Sequence, residues 1–512
     1  MIIIYHQYNA VISAVNDGVE IPFESDNIAK TLFVLAAKFP DKWLIWCHID
    51  LKEYLNTASF ETIFHHDKIM ASFNVNKFED YLPESIGYIE ESVFLKVNRK
   101  ISYPTWLMSS DAGGIHASVL SKFTNRIKSD RNFNYFLNSI AKSGSSKGLL
   151  CYSEPKLILA NDVAIPLVKA SIFDLFKFVK QHYRVRWIFI LFLNFLLFEK
   201  KITFLPFLYS IRFKNYQKEN IDLSKISVQS KLKVVDTKTI DVIIPTIGRK
   251  KYLYDVLKDL AKQTYLPQNV IIIEQNPVEE SISELDYLWK EEWPFTIKHT
   301  FTNQAGACNA RNLALSQVTS EWVFLNDDDN KFDSNLLHDI FRKIEQYGIF
   351  AATTSYIQKN EKLVFKTIHQ SGIFGSGNSF VKSNCLKKVS FSMALEFGYG
   401  EDSDFGLQLR HCGVDIIYFP EPAIIHLKAP FGGFRIKPKF AWDNEINQPK
   451  PSPTIMHVKQ KYLTQKQIKG YKFILFFKIM IKHPFFKWNT IYSSLNEKWN
   501  VSLKWSKKLE NF

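Results

Sequence analysis

Mostly apolar runs alternate with helix-patterned segments between residues 240 and 330, and this alternation constrains the fold more than any other feature of the sequence. The apolar runs are Asp241–Pro245, Val270–Ile273 and Trp322–Leu325, as expected for strands that are covered on both faces. The segments Leu253–Ala261 and Ala307–Ser316 carry apolar residues at helical spacing. This order predicts an α/β fold with a doubly wound sheet, in which ligands bind at the carboxyl ends of the strands.

The third of these strands ends in three consecutive carboxylates, Asp327, Asp328 and Asp329. Clustered negative charge at the end of a buried strand is unfavourable unless solvent or a cation meets it. Oxygen ligands suit a hard divalent ion such as Mg²⁺ or Mn²⁺. The alternative is a solvated acidic turn, since Asp also favours turns and helix starts. Thr246 and Glu274 end the other two strands, and this convergence favours a ligand-binding crevice.

Short motifs between residues 239 and 435 resemble those of the family 2 glycosyltransferases, which have a GT-A-type fold with a mixed sheet. Val242–Thr246 resembles the family's first nucleotide-contacting strand and turn, and Asn303–Asn312 resembles its N-x-G…A-R-N signature. Glu274 replaces the usual Asp, which leaves the nucleotide base open. The resemblance implies that these residues bind the nucleotide: Pro245, Thr246, Arg249, Glu274, Asn303, Gly306, Arg311, Asp327 and Asp328.

The same resemblance gives the Asp triplet the part of the family's D-x-D metal motif. Asp327 and Asp329 would bind Mn²⁺ or Mg²⁺, although the polar Asn326 also allows a register one residue earlier. A cation held there would offset the charge that grows on the leaving diphosphate. The family often has a further metal-ligating histidine where this chain has His426. A lone histidine in an apolar context is otherwise a core or loop residue.

A second acidic pair, Glu401 and Asp402, lies about 70 residues downstream and opens a predicted helix. It resembles the family's E-D-x-D-F segment, in which the second acid of the pair is the general base. The resemblance therefore implies that Asp402 deprotonates the acceptor hydroxyl and that the reaction inverts the anomeric centre. Adjacent carboxylates raise each other's pKa, which suits a proton acceptor. The alternative is a structural helix start, where acids are also favourable.

Two glycine-containing loops flank this chemistry. Gly372–Asn378 has the wrong spacing and setting for a dinucleotide fingerprint, and it is expected to line the donor sugar or the acceptor. Lys428, Arg435 and the turn at Gly432–Gly433 could contact phosphate oxygens or form a mobile acceptor loop.

Residues 1–208 are predicted to form a smaller α/β domain. Its predicted strands include Ile2–Tyr5, Trp43–Cys47 and Ile86–Val97, with a helix at Asn27–Lys38. It shows no paired carboxylates in a suitable context, so we assign it no catalysis of its own. A degenerate relative of the glycosyltransferase fold, shaping acceptor binding or assembly, is one interpretation.

Within this domain, Tyr103–Gly114 ends in an Asp and two glycines. This pattern indicates either a turn with glycines at positive φ, which we favour, or a vestigial sugar-nucleotide loop.

An apolar helical segment at 167–208 is centred on Trp187–Phe198 and flanked by arginines and lysines. Its apolar run is too short to span a bilayer, which takes about 20 residues. A buried core helix and a helix in the membrane interface are both open. The polar stretch 209–238 is expected to be a linker.

The last region, 436–512, is predicted to be a basic, aromatic helical tail. Residues 428–512 hold 17 of the 65 Lys and Arg residues but only 4 of the 51 Asp and Glu residues, in a chain of net charge +14. In Tyr471–Pro484 the lysines fall on one side of the helix and Phe473, Phe476, Phe477 and Met480 on the other. This pattern favours contact with an anionic membrane over a helix packed on the domain.

Five scattered cysteines without a C-x-x-C pair fit a reducing compartment. The first residues suggest a strand and not a signal peptide. We therefore expect a cytoplasmic protein, peripheral on the inner face of the cell membrane. The prediction is an inverting, metal-dependent glycosyltransferase that acts on a glycan or lipid-linked acceptor in bacterial surface polysaccharide synthesis. The alternative is an inert sugar-nucleotide or glycan-binding scaffold. No motif supports nucleic-acid binding.

Overall fold

The computed structural model describes residues 1–76, 79–129, 132–159, 163, 165–430 and 439–511. The chain forms two compact units. Unit 1 comprises Met1–Leu232 and Leu463–Phe477, and unit 2 comprises Lys233–Tyr462 and Lys478–Phe512. The predicted sequence boundaries 1–208, 209–238, 239–435 and 436–512 stay predictions.

Unit 1 has an eight-stranded sheet with the strand order β3-β2-β1-β4-β7-β5-β8-β6. The strands are β1 Ile2–Gln7, β2 Ala10–Asn16, β3 Val19–Glu20, β4 Trp43–His48, β5 Ile69–Phe73, β6 Tyr103–Pro104, β7 Ala112–His116 and β8 Leu150–Ser153. The helices are α1 Ile28–Lys38, α2 Phe60–Ile63, α3 Ala117–Leu120, α4 Phe133–Ser145, α5 Ile172–His182, α6 Arg186–Asn194 and α7 Phe204–Ile211.

Two predictions for this unit are wrong. The segment Ile86–Val97 forms no strand, and its first residues belong instead to a 3₁₀ helix, Glu84–Tyr88. Gly113 and Gly114 do not form a turn, because they lie inside the buried strand β7 and have no positive φ. A Cβ on Gly113 would come within 2.4 Å of the Trp46 ring. Close packing, and not backbone conformation, therefore requires glycine there.

The predicted linker is partly packed. Tyr216, Ile221, Leu223 and Ile226 are buried in the core of unit 1. These apolar residues are spaced irregularly between Lys, Asn and Ser, so periodicity did not reveal them.

Unit 2 has a nine-stranded mixed sheet with the order β11-β10-β9-β12-β16-β14-β17-β13, and β15 pairs with β17. The strands are β9 Ile240–Ile247, β10 Asn269–Gln275, β11 Thr296–Thr302, β12 Trp322–Asn326, β13 Asn330–Lys331, β14 Ala351–Gln358, β15 His369–Gln370, β16 Asn378–Lys382 and β17 Ile417–His426. The helices are α8 Lys250–Ala261, α9 Tyr287–Lys290, α10 Ala307–Leu315, α11 Leu336–Tyr347, α12 Glu401–His411, α13 Pro453–Tyr462 and α15 Trp488–Lys508, while α14 Gln465–Met480 runs from unit 1 into unit 2.

The predicted α/β class, with a mixed sheet in the second half and a helical C-terminal region, is confirmed. Strands β11, β10, β9 and β12 are parallel, whereas β16 is antiparallel to both β12 and β14. The four parallel strands therefore present their carboxyl ends at one edge. The apolar residues Ile243, Ile271 and Val323 are fully buried in one core, which explains why these strands are apolar throughout.

The C-terminal helices are largely packed. Ile474 and Phe476 of α14 are buried, whereas Phe477 and Ile481 are exposed. In the part of the chain that the structure describes, no helix is both long enough and apolar enough to cross a membrane.

Candidate active site

A recess lies at the carboxyl ends of β9 and β10. Thr246, Arg249 and Glu274 line it together with the turn between β9 and α8. Its enclosed part measures about 110 Å³ and opens widely to solvent. The parallel pairing of β9 with β10, which sets Thr246 opposite Glu274, brings these residues together. Pro245 lies one residue earlier in β9.

Asp328 is buried and holds the residues of this recess in place. The Thr246 hydroxyl donates to its Oδ2 at 2.6 Å, and Arg249 donates to its Oδ1 at 2.7 Å. Burial raises the pKa of Asp328 to about 6, although Arg249 opposes that shift. With both oxygens engaged inside the protein, Asp328 positions Arg249 and does not itself present a free carboxylate.

Asp329 is also buried and faces His426 at the end of β17. The Ala429 N–H donates to Asp329 Oδ2 at 2.8 Å, and Arg249 lies 3.3 Å from the same atom. Asp329 Oδ1 lies 3.4 Å from His426 Nε2. Burial alone would raise the pKa of Asp329, but His426 and the Ala429 N–H outweigh it and lower the pKa. The same contact raises the pKa of His426.

Asp327 points to a different set of partners. Arg311 of α10 donates to its Oδ1 at 3.1 Å, and the Tyr356 hydroxyl lies 2.9 Å from its Oδ2. The Tyr356 ring stacks on His426, with 4.7 Å between ring centroids. Gly377 closes over Asp327, because a Cβ at Gly377 would come within 2.2 Å of Asp327 Oδ2.

The three predicted metal ligands do not form a ready coordination cluster. Among the described residues, no three His, Cys, Asp or Glu side chains are grouped so that they could hold a metal. Asp327 contacts Arg311 and Tyr356, whereas Asp329 faces His426 directly. The donor set nevertheless fits a divalent ion, because Asp329 Oδ1 is buried without a hydrogen-bond partner among the described residues.

Glu274 is held at the edge of the recess by two contacts. His299 of β11 lies 2.9 Å from its Oε2, and the Glu284 N–H donates to its Oε1 at 3.1 Å. Burial would raise the pKa of Glu274, but the hydrogen bonds with His299, Ser283 and the Glu284 N–H together outweigh it and lower the pKa.

Asn303 and Gly306 shape the loop in front of α10. Asn303 is exposed, and its amide donates to the carbonyls of Asn276 and Val278, so it braces the neighbouring loop. Gly306 has φ 150°, and its N–H donates to Gln275 Oε1 at 2.6 Å. A Cβ on Gly306 would collide with the Glu396 carboxylate.

Glu401 and Asp402 begin α12, as predicted from the sequence. Burial, reinforced by the charge of Asp402, raises the pKa of Glu401 to about 7. Burial also raises the pKa of Asp402, which accepts a hydrogen bond from the Ser376 N–H at 3.2 Å. The Arg311 guanidinium is close enough to both carboxylates for their charges to raise its pKa. Arg311 thus lies between the triplet and the acidic pair.

Sequence reasoning missed two residues of this site. Tyr356 occupies the carboxyl-terminal end of β14, a position that the same strand-end rule could have singled out. Glu396 accepts hydrogen bonds from the Cys308 and Asn309 N–H groups at 3.0 and 2.8 Å and so caps α10 from a distant segment. No local pattern signals that contact.

The loops expected to contact phosphate or acceptor are only partly described. Gly372–Asn378 contributes Ser376 and Gly377 to the site, next to Asp402 and Asp327 respectively. Lys428 is exposed, whereas Arg435 and Gly432–Gly433 lie outside the described residues.

Residues 241–396 match the model of the family described as Glycosyl transferase family 2. These residues contain the strands β9 to β12, the Asp triplet and the loop before β16. This segment is a family 2 glycosyltransferase domain. The match ends before Glu401, Asp402 and His426 and includes none of unit 1.

Similar curated proteins carry related names. The chain is 21% identical over 122 residues to Glycosyltransferase GlyG of Streptococcus pneumoniae serotype 4, covering 24% of this chain and 40% of that protein. It is 25% identical over 108 residues to the poly(ribitol-phosphate) beta-N-acetylglucosaminyltransferase TarS of Staphylococcus aureus strain Mu50, covering 21% of this chain and 19% of TarS. The chain thus spans less than half the length of these relatives.

Two solved structures are also similar. TarS residues 1–349 of S. aureus in complex with UDP-GlcNAc match at 18% identity and a TM-score of 0.35, over 46% of this chain and 70% of that one. GalNAc-T7 with UDP, GalNAc and Mn²⁺ matches at 11% identity and a TM-score of 0.35, over 43% of this chain and 48% of that one.

Proposed function

We propose that the protein is an inverting glycosyltransferase, which moves a sugar from a nucleotide-sugar donor to a glycan or lipid-linked acceptor in the synthesis of a bacterial surface polysaccharide. One observation carries the proposal: within and just beyond the family 2 domain, a strand-end recess, the Asp triplet and a half-buried acidic pair are linked through Arg249 and Arg311.

Asp402 is the general base in this proposal. Its raised pKa makes it a better proton acceptor than an ordinary carboxylate. It takes the proton of an acceptor hydroxyl, whose oxygen forms a bond to the anomeric carbon of the donor sugar. The bond from that carbon to the diphosphate oxygen breaks, and its electron pair leaves with the nucleotide diphosphate. Attack opposite the leaving group inverts the anomeric configuration.

In this proposal the cationic side chains of the site stabilise the negative charge of the leaving diphosphate. Hydrogen bonds from one guanidinium nitrogen of Arg249 to Asp328 and Asp329 orient the guanidinium before the donor binds. A bound Mn²⁺ or Mg²⁺ would be held by Asp327, Asp329 and His426, and it would neutralise charge on the diphosphate.

Nucleotide release from a donor panel tests this function. The full chain is incubated with UDP-, GDP- and dTDP-sugars and Mn²⁺ or Mg²⁺, with and without EDTA. We expect slow release of nucleotide from one donor class, abolished by EDTA and by Asp329→Ala. The exposed Asp443 supplies a control variant, Asp443→Ala, which should keep full activity. Absence of metal-dependent binding for every donor would leave the inert scaffold as the better account.

A peripheral membrane contact is the second part of the proposal, because it would bring a lipid-linked acceptor to the enzyme. The segment α6–α7 exposes a group of large apolar side chains: Phe189, Leu196, Leu197, Ile202, Phe204, Leu205, Leu208 and Ile211. The exposed cations Lys200, Lys201 and Arg212 lie among them. Apolar side chains surrounded by basic ones are typical of surfaces that bind the headgroup region of anionic membranes.

Vesicle flotation tests this contact. We expect the protein to float with vesicles of phosphatidylglycerol more than with phosphatidylcholine, and Leu205→Glu to reduce flotation several-fold. Leu266→Glu, at an exposed leucine of unit 2, is the matched control. Equal flotation of both variants and the unmodified chain would exclude α6–α7 as the contact.

A further inference from the structure

The sheet of unit 1 repeats the central topology of the sheet in unit 2. Five strands of unit 2 lie in the order β9-β12-β16-β14-β17, and five strands of unit 1 lie in the order β1-β4-β7-β5-β8. In both sets, neighbouring positions across the sheet are occupied by the first, second, fourth, third and fifth of these strands in chain order. The pairings also agree: a parallel pair, two antiparallel pairs and a final parallel pair.

The two sheets correspond residue by residue around the site. Trp43 opens β4 and pairs with His116, as Trp322 opens β12 and pairs with Lys382. Counting forward along β4 from Trp43 places His48 where unit 2 has Asp327.

The same counting places Asp50 where unit 2 has Asp329, and along β7 it places Ser110 where unit 2 has Ser376. The acidic triplet of unit 2 is thus represented in unit 1 by His48, Ile49 and Asp50.

The position of the predicted general base is the most informative. Asp402 is the second residue of α12, and Asn134 is the second residue of α4, the helix that precedes the equivalent strand. The Ser110 N–H donates to Asn134 Oδ1 at 2.9 Å, just as the Ser376 N–H donates to Asp402 Oδ1 at 3.2 Å. Unit 1 therefore keeps the shape and the hydrogen bond of this position, with an amide that cannot accept the proton of an acceptor hydroxyl.

A recess lies beside Asn134 in unit 1. Its enclosed part measures about 30 Å³, enough for one or two waters, so a larger ligand would lie across its mouth; Asn134, Ser110 and His48 line it. His48 is buried, and its Nε2 has no hydrogen-bond partner among the described residues. A buried nitrogen of this kind calls for a polar ligand or water.

The lining suits an uncharged polyol. The described lining residues include five Asn, two Ser and one carboxylate, Asp111, but no Lys or Arg. All five Asn side-chain oxygens accept backbone N–H groups of the protein, and His48 Nε2 is a buried polar atom left for a ligand. A diphosphate would therefore meet no positive charge there. Tyr8 adds an exposed aromatic ring at the rim and stands at φ 54°, a conformation that bulky residues rarely adopt.

We propose that unit 1 is a non-catalytic copy of the catalytic unit and that a neutral saccharide, a stretch of the glycan acceptor, binds across the mouth of its recess. The identification of the saccharide as acceptor rests on the proposed function, because Asn134 takes the place of the base that faces the acceptor hydroxyl. The recess holds the glycan by amide–hydroxyl hydrogen bonds and by packing of a sugar ring on Tyr8.

Saccharide binding by the full chain tests this proposal. Chitopentaose and maltopentaose are titrated into the protein and followed by saturation-transfer NMR and calorimetry, and the variants below assign the binding to unit 1. We expect one of them to bind. Tyr8→Ala should weaken that binding about fivefold, since an aromatic contact is worth about 1 kcal/mol. Asn134→Asp should weaken it as well, because a donor amide becomes a charged acceptor.

Tyr54→Ala, at an exposed tyrosine of unit 1 outside the recess, is the matched control and should bind normally. Thermal unfolding of each variant checks that it is folded. Binding of neither saccharide, or equal binding by the folded Tyr8→Ala and Asn134→Asp variants, would overturn the proposal.

Donor hydrolysis separates this result from the proposed function. Tyr8→Ala should keep the metal-dependent release of nucleotide, whereas Asp402→Ala should lose it and still bind the saccharide. Loss of donor turnover in Tyr8→Ala would contradict a separate, non-catalytic site.

Discussion

At the scale of single residues, the acidic pair at the start of α12 sets the expected pH dependence. The pKa of Glu401 is raised to about 7 and that of Asp402 is raised in the same direction, both mainly by burial. A base acts only when deprotonated, so kcat should fall as the pH drops through this raised pKa. The acidic limb should therefore lie above pH 4, the ordinary carboxylate range.

Glu401→Gln should move that limb to lower pH. The substitution removes a negative charge beside Asp402, which makes the charged form of Asp402 less costly and lowers its pKa. The measurement is kcat between pH 5 and 9, with the exposed Glu292→Gln as control. An unchanged acidic limb in Glu401→Gln would show that the two carboxylates do not titrate together.

Tyr356 is expected to position Asp327. Its hydroxyl lies between Asp327 Oδ2 and Asn330 Oδ1, at 2.9 and 2.8 Å. Tyr356→Phe keeps the ring stacked on His426 and removes only the hydroxyl. We expect about a tenfold loss of kcat/KM and a weaker Mn²⁺ dependence, because a lost hydrogen bond to a charged group costs about 1.5 kcal/mol or more. Wild-type kinetics at all Mn²⁺ concentrations would contradict this role.

At the scale of elements, the Glu396 carboxylate holds the N-terminus of α10. It accepts two N–H groups that otherwise have no partner within the helix, and negative charge there is favourable. Glu396→Ala should lower the Tm of the unit by about 2–4 °C, a loss of about 1 kcal/mol. Glu396→Gln should lower it less. Glu279→Ala, at an exposed position, is the control, and an equal Tm in all variants would exclude the cap.

Elements with strong periodicity could be predicted from the sequence, because burial on both faces imposes wholly apolar strands. The three strands β9, β10 and β12 and the helix α8 fall where the pattern indicates. The error at Ile86–Val97 has the opposite cause: an apolar stretch packs there as a 3₁₀ helix and loop, which periodicity does not distinguish from a strand.

The residues of the candidate site also fall into two groups, those that the sequence predicts and those that it does not. Strand-end residues such as Thr246, Glu274 and the Asp triplet follow from the local pattern and the topology of a parallel sheet. The contacts of Asp327 with Tyr356, and of Glu396 with α10, join segments 29 and more than 80 residues apart. Such contacts depend on the packed fold, so no short motif could reveal them.

At the scale of the whole molecule, the sequence indicated one chemistry-bearing half and one half without catalytic signals. The structure adds that both halves are built on the same five-strand order. The sequence offered this repeat only as one interpretation, because the residues that carry chemistry differ: Asn134 stands for Asp402, and His48 stands for Asp327. A binding unit derived from a catalytic one would keep the strand topology and lose the catalytic side chains.

Donor turnover by Asp402→Asn tests the central claim most directly. The substitution keeps the side-chain shape and the hydrogen bond from Ser376 and removes only the ability to accept a proton. We expect the variant to bind the nucleotide sugar with an unchanged Kd by calorimetry and to lose at least 100-fold in kcat for transfer, in line with the usual contribution of a general base. Transfer at the wild-type rate by a folded Asp402→Asn variant would contradict the assignment of catalysis to this site.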